Sequence, residues 1–509
     1  MRLFIVIFWV LLSFMLASCS GGLSHYQQTP SYVQHHGSDN QLARSVARLR
    51  VDMPESHSAV YPLTDGIAAF VARVSLIRAA ETSIDLQYYI YRGDETGSIL
   101  TAALIEAADR GVRVRMLLDD LPNKDGDQVL LLLNAHPNIE VRLFNPFVNR
   151  RFRGLELAGS FERINRRMHN KSLTIDNVAT VVGGRNIGDE YFAASTEIEF
   201  GDFDLLAIGP VVPQVSEQFD LYWNHQYAVL VAELSSHKIN EQQFNDAHQK
   251  FLISVADLGE REYVVRLKQS TMLRDLQEGS LEWFSGPARA VYDLPSKMDQ
   301  PAAAEQSFMV QQMASVWDGL GHQVLFISPY FVPMDDGVST LLDMVARGID
   351  VTVVTNSLAA TDVVAVHGGY QKYRKVLLAG GVKLYESKVN PSHKPSAWKG
   401  SSRASLHAKT FVLDERKVYV GSFNIDPRSA ALNTEMGLLI DSPALAKKLL
   451  FGGHDLSDTA YRLSLDVKND QLLWFDDATG EQYSSEPDAS IWRRLGAAIM
   501  SWLPIESML

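Results

Sequence analysis

Cysteine is nearly absent: Cys19 is the only one in 509 residues, so no intrachain disulfide can form. Long apolar runs are also scarce. One stands out at 3–16, short of the roughly 20 residues that a membrane-spanning helix needs. Basic residues are outnumbered, with 47 Lys and Arg against 60 Asp and Glu, for a formal charge of −13. That balance argues against a general nucleic-acid binder, whose footprint is basic, and no nucleic-acid partner is expected. It leaves room for a locally basic pocket. With 46% hydrophobic and 21% charged residues the composition is globular. The length exceeds what one core holds, so two domains or two lobes are expected.

The apolar run follows Arg2 and ends in Ala17-Ser18-Cys19, the pattern of a secretory signal. Leu16-Ala17-Ser18-Cys19 resembles the lipobox of bacterial lipoproteins. That likeness implies cleavage before Cys19, lipidation of its thiol, and a place in the bacterial cell envelope on the periplasmic face of a membrane. Several acyl chains hold a protein firmly where one does so marginally. The organisation expected is a signal peptide at 1–18, a flexible polar tether at 19–50, a first lobe at 51–225, a linker region at 226–300, a second lobe at 301–455 and a C-terminal segment at 456–509.

An internal repeat supports the two lobes. SIDLQYYIYRGDETG (83–97) matches QVLFISPYFVPMDDG (323–337) as apolar strand, aromatics, acidic loop and glycine. ADRGVRVRMLLDD (108–120) matches VARGIDVTVVTNS (345–357) as helix end, glycine stop and strand. The expected fold is α/β: two lobes related by a pseudo-two-fold, each a mixed β-sheet flanked by helices.

The strongest repeat carries chemistry. MHNKSLTID (168–176) returns as LHAKTFVLD (406–414). In a strand, residues two apart share a face. His169 and Lys171 therefore point one way and Asp176 the other, as do His407 and Lys409 against Asp414. Each aspartate is expected to brace the scaffold from behind. Seventeen residues after each histidine comes an asparagine in a glycine-containing turn: Asn186 in Gly183-Gly184-Arg185-Asn186 and Asn424 in Gly421-Ser422-Phe423-Asn424. Two lysines and two asparagines make a positive, donor-rich pocket suited to phosphodiester oxygens. Two histidines can divide the labour, one attacking phosphorus and one protonating the leaving oxygen. No metal and no cofactor is required, because the lysines supply the positive charge. One copy of the motif is weak evidence; two copies with matched asparagines are not a chance pattern.

The doubled His-x-Lys-x4-Asp with its trailing asparagine resembles the phospholipase D superfamily. Strings such as DLQYYIY (85–91), VGGRNIGDEYF (182–192), TNSLAATDVVAVHGGY (355–370) and VGSFNIDPRSAALNTEMG (420–437) resemble the C-type bacterial cardiolipin synthases within it. The likeness runs over roughly 60–509. It implies a phosphatidyltransferase working through a phosphohistidine, with a phosphodiesterase that hydrolyses phospholipid as the alternative and a nuclease, disfavoured by the acidic charge and the lipid anchor, behind it. It implies the catalytic set His169, Lys171, Asp176, Asn186, His407, Lys409, Asp414 and Asn424, with His169 as nucleophile and His407 as acid then base; the residues alone leave the reverse order open. The implied partners are membrane phospholipids, with phosphatidylglycerol as acceptor and phosphatidylethanolamine as candidate donor, and the membrane surface. Whether a protein partner exists is left open at this point. A carboxylate orienting each histidine is expected after each asparagine. Glu435 fills that place in the second lobe. In the first, Asp204 fits the strand pattern, while Glu197 keeps the spacing.

Other candidates have plainer readings beside functional ones. Asp119-Asp120 and Asp335-Asp336 are read as loop or helix-cap residues rather than metal ligands. Arg163, Arg166 and Arg167 are either a second anion site or a solvated loop. His367, Tyr370, Tyr373 and Arg374, at helical spacing, line an acceptor pocket or pack as an aromatic face. Tyr88, Tyr89, Tyr330 and Phe331 are read as core aromatics before pocket walls. In the tail, Ile491, Trp492, Leu495, Ala498, Ile499, Trp502 and Leu503 form a helical stripe, either an interfacial helix or one docked on the protein's own core.

Overall fold

The computed structural model describes residues 23, 26, 29–34, 40–123, 126–195, 199–258, 261–299, 308–389, 404–451 and 456–509. Cys19, the signal segment and Glu197 lie outside the described residues.

The first lobe holds β1 (His57–Leu63), β2 (Ser83–Tyr88), β3 (Arg113–Asp119), β4 (Ile139–Phe144), β5 (Ser172–Ile175), β6 (Ala179–Gly183), β7 (Glu199–Gly201), β8 (Asp204–Ile208) and β9 (Ala228–Leu230). The second holds β10 (Phe284–Tyr292), β11 (Gln323–Ile327), β12 (Asp350–Asn356), β13 (Lys383–Ser387), β14 (Ala404–Leu406), β15 (Thr410–Leu413), β16 (Lys417–Gly421), β17 (Met436–Asp441), β18 (Ala460–Asp466), β19 (Gln471–Asp476) and β20 (Glu481–Tyr483). In the first lobe the strands lie in the order β9-β4-β3-β2-β5-β6-β8-β1, with β2, β3 and β4 parallel and the other neighbours antiparallel. The second repeats it as β18-β13-β12-β11-β15-β16-β17-β10 and adds β19 and β20 at its edge. The two sheets meet where β1 pairs antiparallel with β10, Val60 opposite Phe284 and His57 opposite Pro287. A second seam, β7 parallel to β14, crosses between the lobes beside the histidines.

β10 lies inside the region expected to be a linker and instead opens the second repeat. Its Gly286 and Pro287 disguise it as a non-strand, yet the seam leaves Pro287 beside the short β1 partner. The three helices between the lobes, Glu241–Leu258, Glu262–Lys268 and Thr271–Glu278, pack on the first lobe's helices Gly66–Ala79 and Glu95–Asp109.

The tether expectation also meets structure. Gln41–Leu49 is a helix whose N-cap, Asn40, accepts from the Ala43 N–H and donates to Asp176 at 2.8 Å. Upstream, Ser31 accepts from the Trp223 indole at 2.8 Å and its carbonyl accepts from Arg115 at 2.9 Å. The Asn40 cap and long-range hydrogen bonds to the first lobe hold Ser31 and Asn40, two residues of a segment that composition alone reads as free.

Candidate active site

β5 runs antiparallel to β2, with Ser172 opposite Gln87, so His169 sits just beyond the carboxyl ends of the parallel strands. That end of an open α/β sheet is where ligand sites gather. The hairpin that follows has one cause in both lobes. Asp176 and Asn177, and Asp414 and Glu415, all have φ between +51° and +54°, as a type I′ turn demands, and the turns close through Val178 N–H to Ile175 and Arg416 N–H to Leu413.

These turns settle where the aspartates go. Asp176 accepts from the backbone N–H groups of Glu81, Thr82 and Ser83 at 2.8–3.0 Å. Asp414 accepts from those of Gly321, His322 and Gln323 at 2.8–3.0 Å. Both sit at the far end of their strands from the imidazoles, so they brace the sheet and the His-Lys-Asp triplets are not contiguous catalytic groups. His407 and Lys409 stay together: the Lys409 ammonium lies 3.1 Å from His407 Nε2. Lys171 donates to the His169 carbonyl at 2.6 Å and lies over the Tyr89 ring.

The histidines are held from the opposite lobe. The His169 N–H donates to the Thr434 carbonyl at 2.9 Å, and Nδ1 meets Glu435 Oε2 at 2.8 Å. The His407 N–H donates to the Gly201 carbonyl at 2.8 Å, and Nδ1 meets Asp202 Oδ2 at 2.5 Å. Each carboxylate accepts from Nδ1–H, which leaves Nε2 as the working nitrogen of each ring. Aromatic rings complete the collars: Tyr89 edge-on to His169 at 5.1 Å, Tyr191 edge-on to His407 at 5.3 Å, and Phe200 tilted against His407 at 5.0 Å.

Two expectations are corrected here. Glu435 serves the other lobe's histidine, not that of its own lobe. The first-lobe carboxylate is Asp202, not Asp204. Gly183 is registered opposite Asp204 and Gly421 opposite Gly437, so Asp204 corresponds to Gly437. Asp202, two residues before the one, corresponds to Glu435, two residues before the other. The signal was present: Asp202-Phe203-Asp204-Leu205-Leu206 aligns with Glu435-Met436-Gly437-Leu438-Leu439 on the leucine pair. Gly184 is needed beside it, because a Cβ there would sit 2.2 Å from Asp202 Oδ1. Asp204 pairs instead with Arg73 at 2.9 Å and Arg185 at 3.2 Å, all three buried. This accounts for Arg185 where the second turn has Phe423: an ion-paired filling in one lobe replaces Phe423, Gly437 and the Tyr419 ring in the other.

The asparagines are linked to the histidines' surroundings through neighbours, Asn186 through Tyr191 and Asn424 through Ser429 and Glu435. Asn186 accepts from the Ile90 N–H and donates to the Tyr191 hydroxyl at 2.9 Å. Asn424 is buried, with Oδ1 lacking a protein partner among the described residues. Serines that the spacing did not single out support Glu435: Ser422 Oγ donates to Oε2 and Ser429 Oγ to Oε1 at 2.9 Å.

Burial dominates the electrostatics. It pushes the Lys171 ammonium down to about 7 and that of Lys409 to about 8, with nearby carboxylates opposing. Burial, then the charges of Lys171, Lys409, His407 and Arg428, hold His169 well below the usual histidine range. His407 is lowered by burial and Lys409, while Asp202 pulls the other way. Burial raises the Glu435 carboxyl to about 7. Groups of both lobes thus act on one space, where both imidazoles are neutral and the lysines are poised to gain a full charge when an anion arrives.

The remaining candidates are scaffold. Arg167 pairs with buried Asp119, which also accepts from the Met168 N–H at 2.9 Å. Asp120 holds Arg150, Arg163 pairs with Glu156, and Arg166 donates to the Lys297 carbonyl. Arg374 is buried against Glu386, Glu486 and His367. Asp335 and Asp336 lie in the first turn of the helix Met334–Ala346, where the helix dipole favours acids.

Comparison with known proteins agrees with this architecture. Residues 74–223 and 320–450 match the family model described as cardiolipin synthase, PLD-like domain. The chain is 41% identical to cardiolipin synthase C of Escherichia coli over 92% of its length and 99% of that protein. It is 27% identical to the major cardiolipin synthase ClsA of Bacillus subtilis, over 77% of the chain and 67% of that protein. The crystal structure of phosphatidylserine synthase from Haemophilus influenzae covers 92% of this chain and all of its own at a TM-score of 0.57 and 12% identity, a likeness of fold. A repeated α/β lobe, a paired histidine site and these matches lead to one assignment: the chain belongs to the phospholipase D-like family of cardiolipin synthases.

Proposed function

We propose that the protein is a phosphatidyltransferase that joins two phospholipids into cardiolipin. The observation that carries the reading is the reciprocal pair His169–Glu435 and His407–Asp202, which gives one site two oriented imidazoles, one from each lobe. The donor's phosphodiester oxygens lie against Lys171 and Lys409. Its negative charge offsets their desolvation and raises the proton affinity of His407, which takes up a proton from water at Nε2 as the donor binds. Nε2 of His169, neutral in the free site, attacks phosphorus in line and forms the P–N bond. The bond to the departing headgroup oxygen breaks, and His407 Nε2–H protonates that oxygen. Glu435 balances the cation left on His169. In the second half a lipid hydroxyl gives its proton to His407 and attacks phosphorus; the P–N bond breaks, and His407 releases that proton to water as the product leaves, which restores the free enzyme. His169 is assigned as nucleophile because burial and the nearby Lys171, Lys409 and Arg428 oppose its protonation, whereas Asp202 favours a proton on His407.

The acceptor proposed is phosphatidylglycerol and the donor a second glycerophospholipid, phosphatidylethanolamine or phosphatidylglycerol. Cys19 carries the lipid anchor at the periplasmic face. Among the described residues no helix is long and apolar enough to cross a membrane. The test is lipid analysis of a host lacking cardiolipin synthases that expresses wild type or His169→Ala. Cardiolipin should accumulate with wild type alone, and acid quenching should trap a phosphohistidine in wild type but not in the variant. Phosphatidic acid without cardiolipin would instead identify a hydrolase.

A further inference from the structure

The C-terminal helix Ile491–Trp502 lies on the helix Val364–Tyr370. Its inner side is tightly seated. Ala497 is buried, and a Cβ on Gly368 would come within 2.8 Å of the Ala497 carbonyl. The helix's two cations are drawn inward. Arg493 donates to the carbonyls of Leu358 and Thr361 at 3.0 and 2.5 Å, and Arg494 to that of Glu486 at 2.7 Å. The apolar stripe therefore faces outward: Trp492 is 77% exposed, Trp502 88%, Ile491 69%, and Leu495 and Ile499 50% each. A core-docked helix would bury these side chains; this one buries Ala497 instead.

The stripe is also tied to the site. Thr361 precedes Asp362, which accepts from the Tyr330 hydroxyl at 2.9 Å and whose charge acts on His407 and Lys409. The chain's last residue, Leu509, accepts from the Arg428 N–H at 2.8 Å, and the Arg428 charge acts on His169. The loop at Thr361-Asp362 and the short helix that begins at Arg428, one acting on each histidine, thus hold the C-terminal segment at both of its ends.

We infer that the outer face of Ile491–Trp502 is a membrane-docking surface that lays the mouth of the active site against a phospholipid bilayer. The occupant is a bilayer interface because the stripe is apolar, free of outward charge and ended by tryptophans, which settle at the headgroup level. It also borders a site whose substrate, on the reading above, resides in that bilayer; the inference rests on that reading for its purpose but not for its test.

The full chain is added to phosphatidylglycerol–phosphatidylethanolamine vesicles brominated in their acyl chains. Wild-type tryptophan fluorescence should be quenched, and Trp492→Phe/Trp502→Phe should lose about half or more of that quenching. Equal quenching in both proteins overturns the proposal, whatever the activity. Trp492→Ser/Trp502→Ser should lower turnover of vesicle phosphatidylglycerol at least about tenfold while leaving monomeric short-chain phosphatidylglycerol within about twofold. Equal losses on both substrates overturn it, as does a wild-type dimer that this variant dissociates without any change in quenching. Quenching that behaves as expected in a wild type that turns over neither lipid sustains the docking face and removes the transferase reading.

Discussion

Asp202 and Asp204 stand two residues apart and meet different partners, so substitution separates them. Asp202→Asn removes the carboxylate that favours a proton on His407. The rate should fall about 10²-fold, and the basic limb of the pH profile should move to lower pH. Asp204→Asn leaves Arg73 and Arg185 buried without their shared counter-charge, so the loss should appear as about 3–5 kcal/mol of stability in a melt. The pH profile of its surviving activity should stay unchanged. The lysines set a second expectation. With Lys171 down to about 7 and Lys409 to about 8 in the free site, both are charged at low pH and lose their protons as pH rises. The value of kcat/KM, which reports the free enzyme, should therefore decline through about pH 7–8 in a pH-rate series. His169, Lys171, His407, Lys409, Asn186 and Asn424 were singled out by the matched spacing of the two copies rather than by strand period, since all six lie just outside β5, β6, β15 and β16. Asp202 was misplaced because the acid lies just outside β8, where strand alternation has no authority.

Elements show a second limit. The aspartates closing each motif were read from face parity as scaffold, and the structure gives the reason: each caps the backbone entering a neighbouring strand. β10 was not legible, since its Gly286 and Pro287 contradict strand propensity and only pairing with β1 and β17 makes it one. Helical spacing marked the C-terminal stripe, but spacing cannot say which side a helix turns to solvent; the glycine that seats it lies some 130 residues away in sequence. Gly368→Ala puts a methyl against the Ala497 carbonyl and Met500, and should cost about 1–3 kcal/mol. Hydrogen exchange should show that loss as faster exchange over 491–509, with the amides of β5 and β15 unaffected.

At the scale of the whole molecule, the repeat and its pseudo-two-fold were readable because both copies keep their strand order and motif spacing. The exchange of carboxylates was not, since a repeat describes what each half contains and not which half receives it. That exchange restricts inheritance. The contacts His169–Glu435 and His407–Asp202 are nested along the chain, so any recombination break between residues 202 and 407 parts both histidines from the acids that matured beside them. One acid is a glutamate propped by two serines, the other a shorter aspartate admitted by a glycine. Hybrids that swap whole halves with a divergent relative would inherit two mismatched couples at once, and the lineage is bound to pass its halves on together.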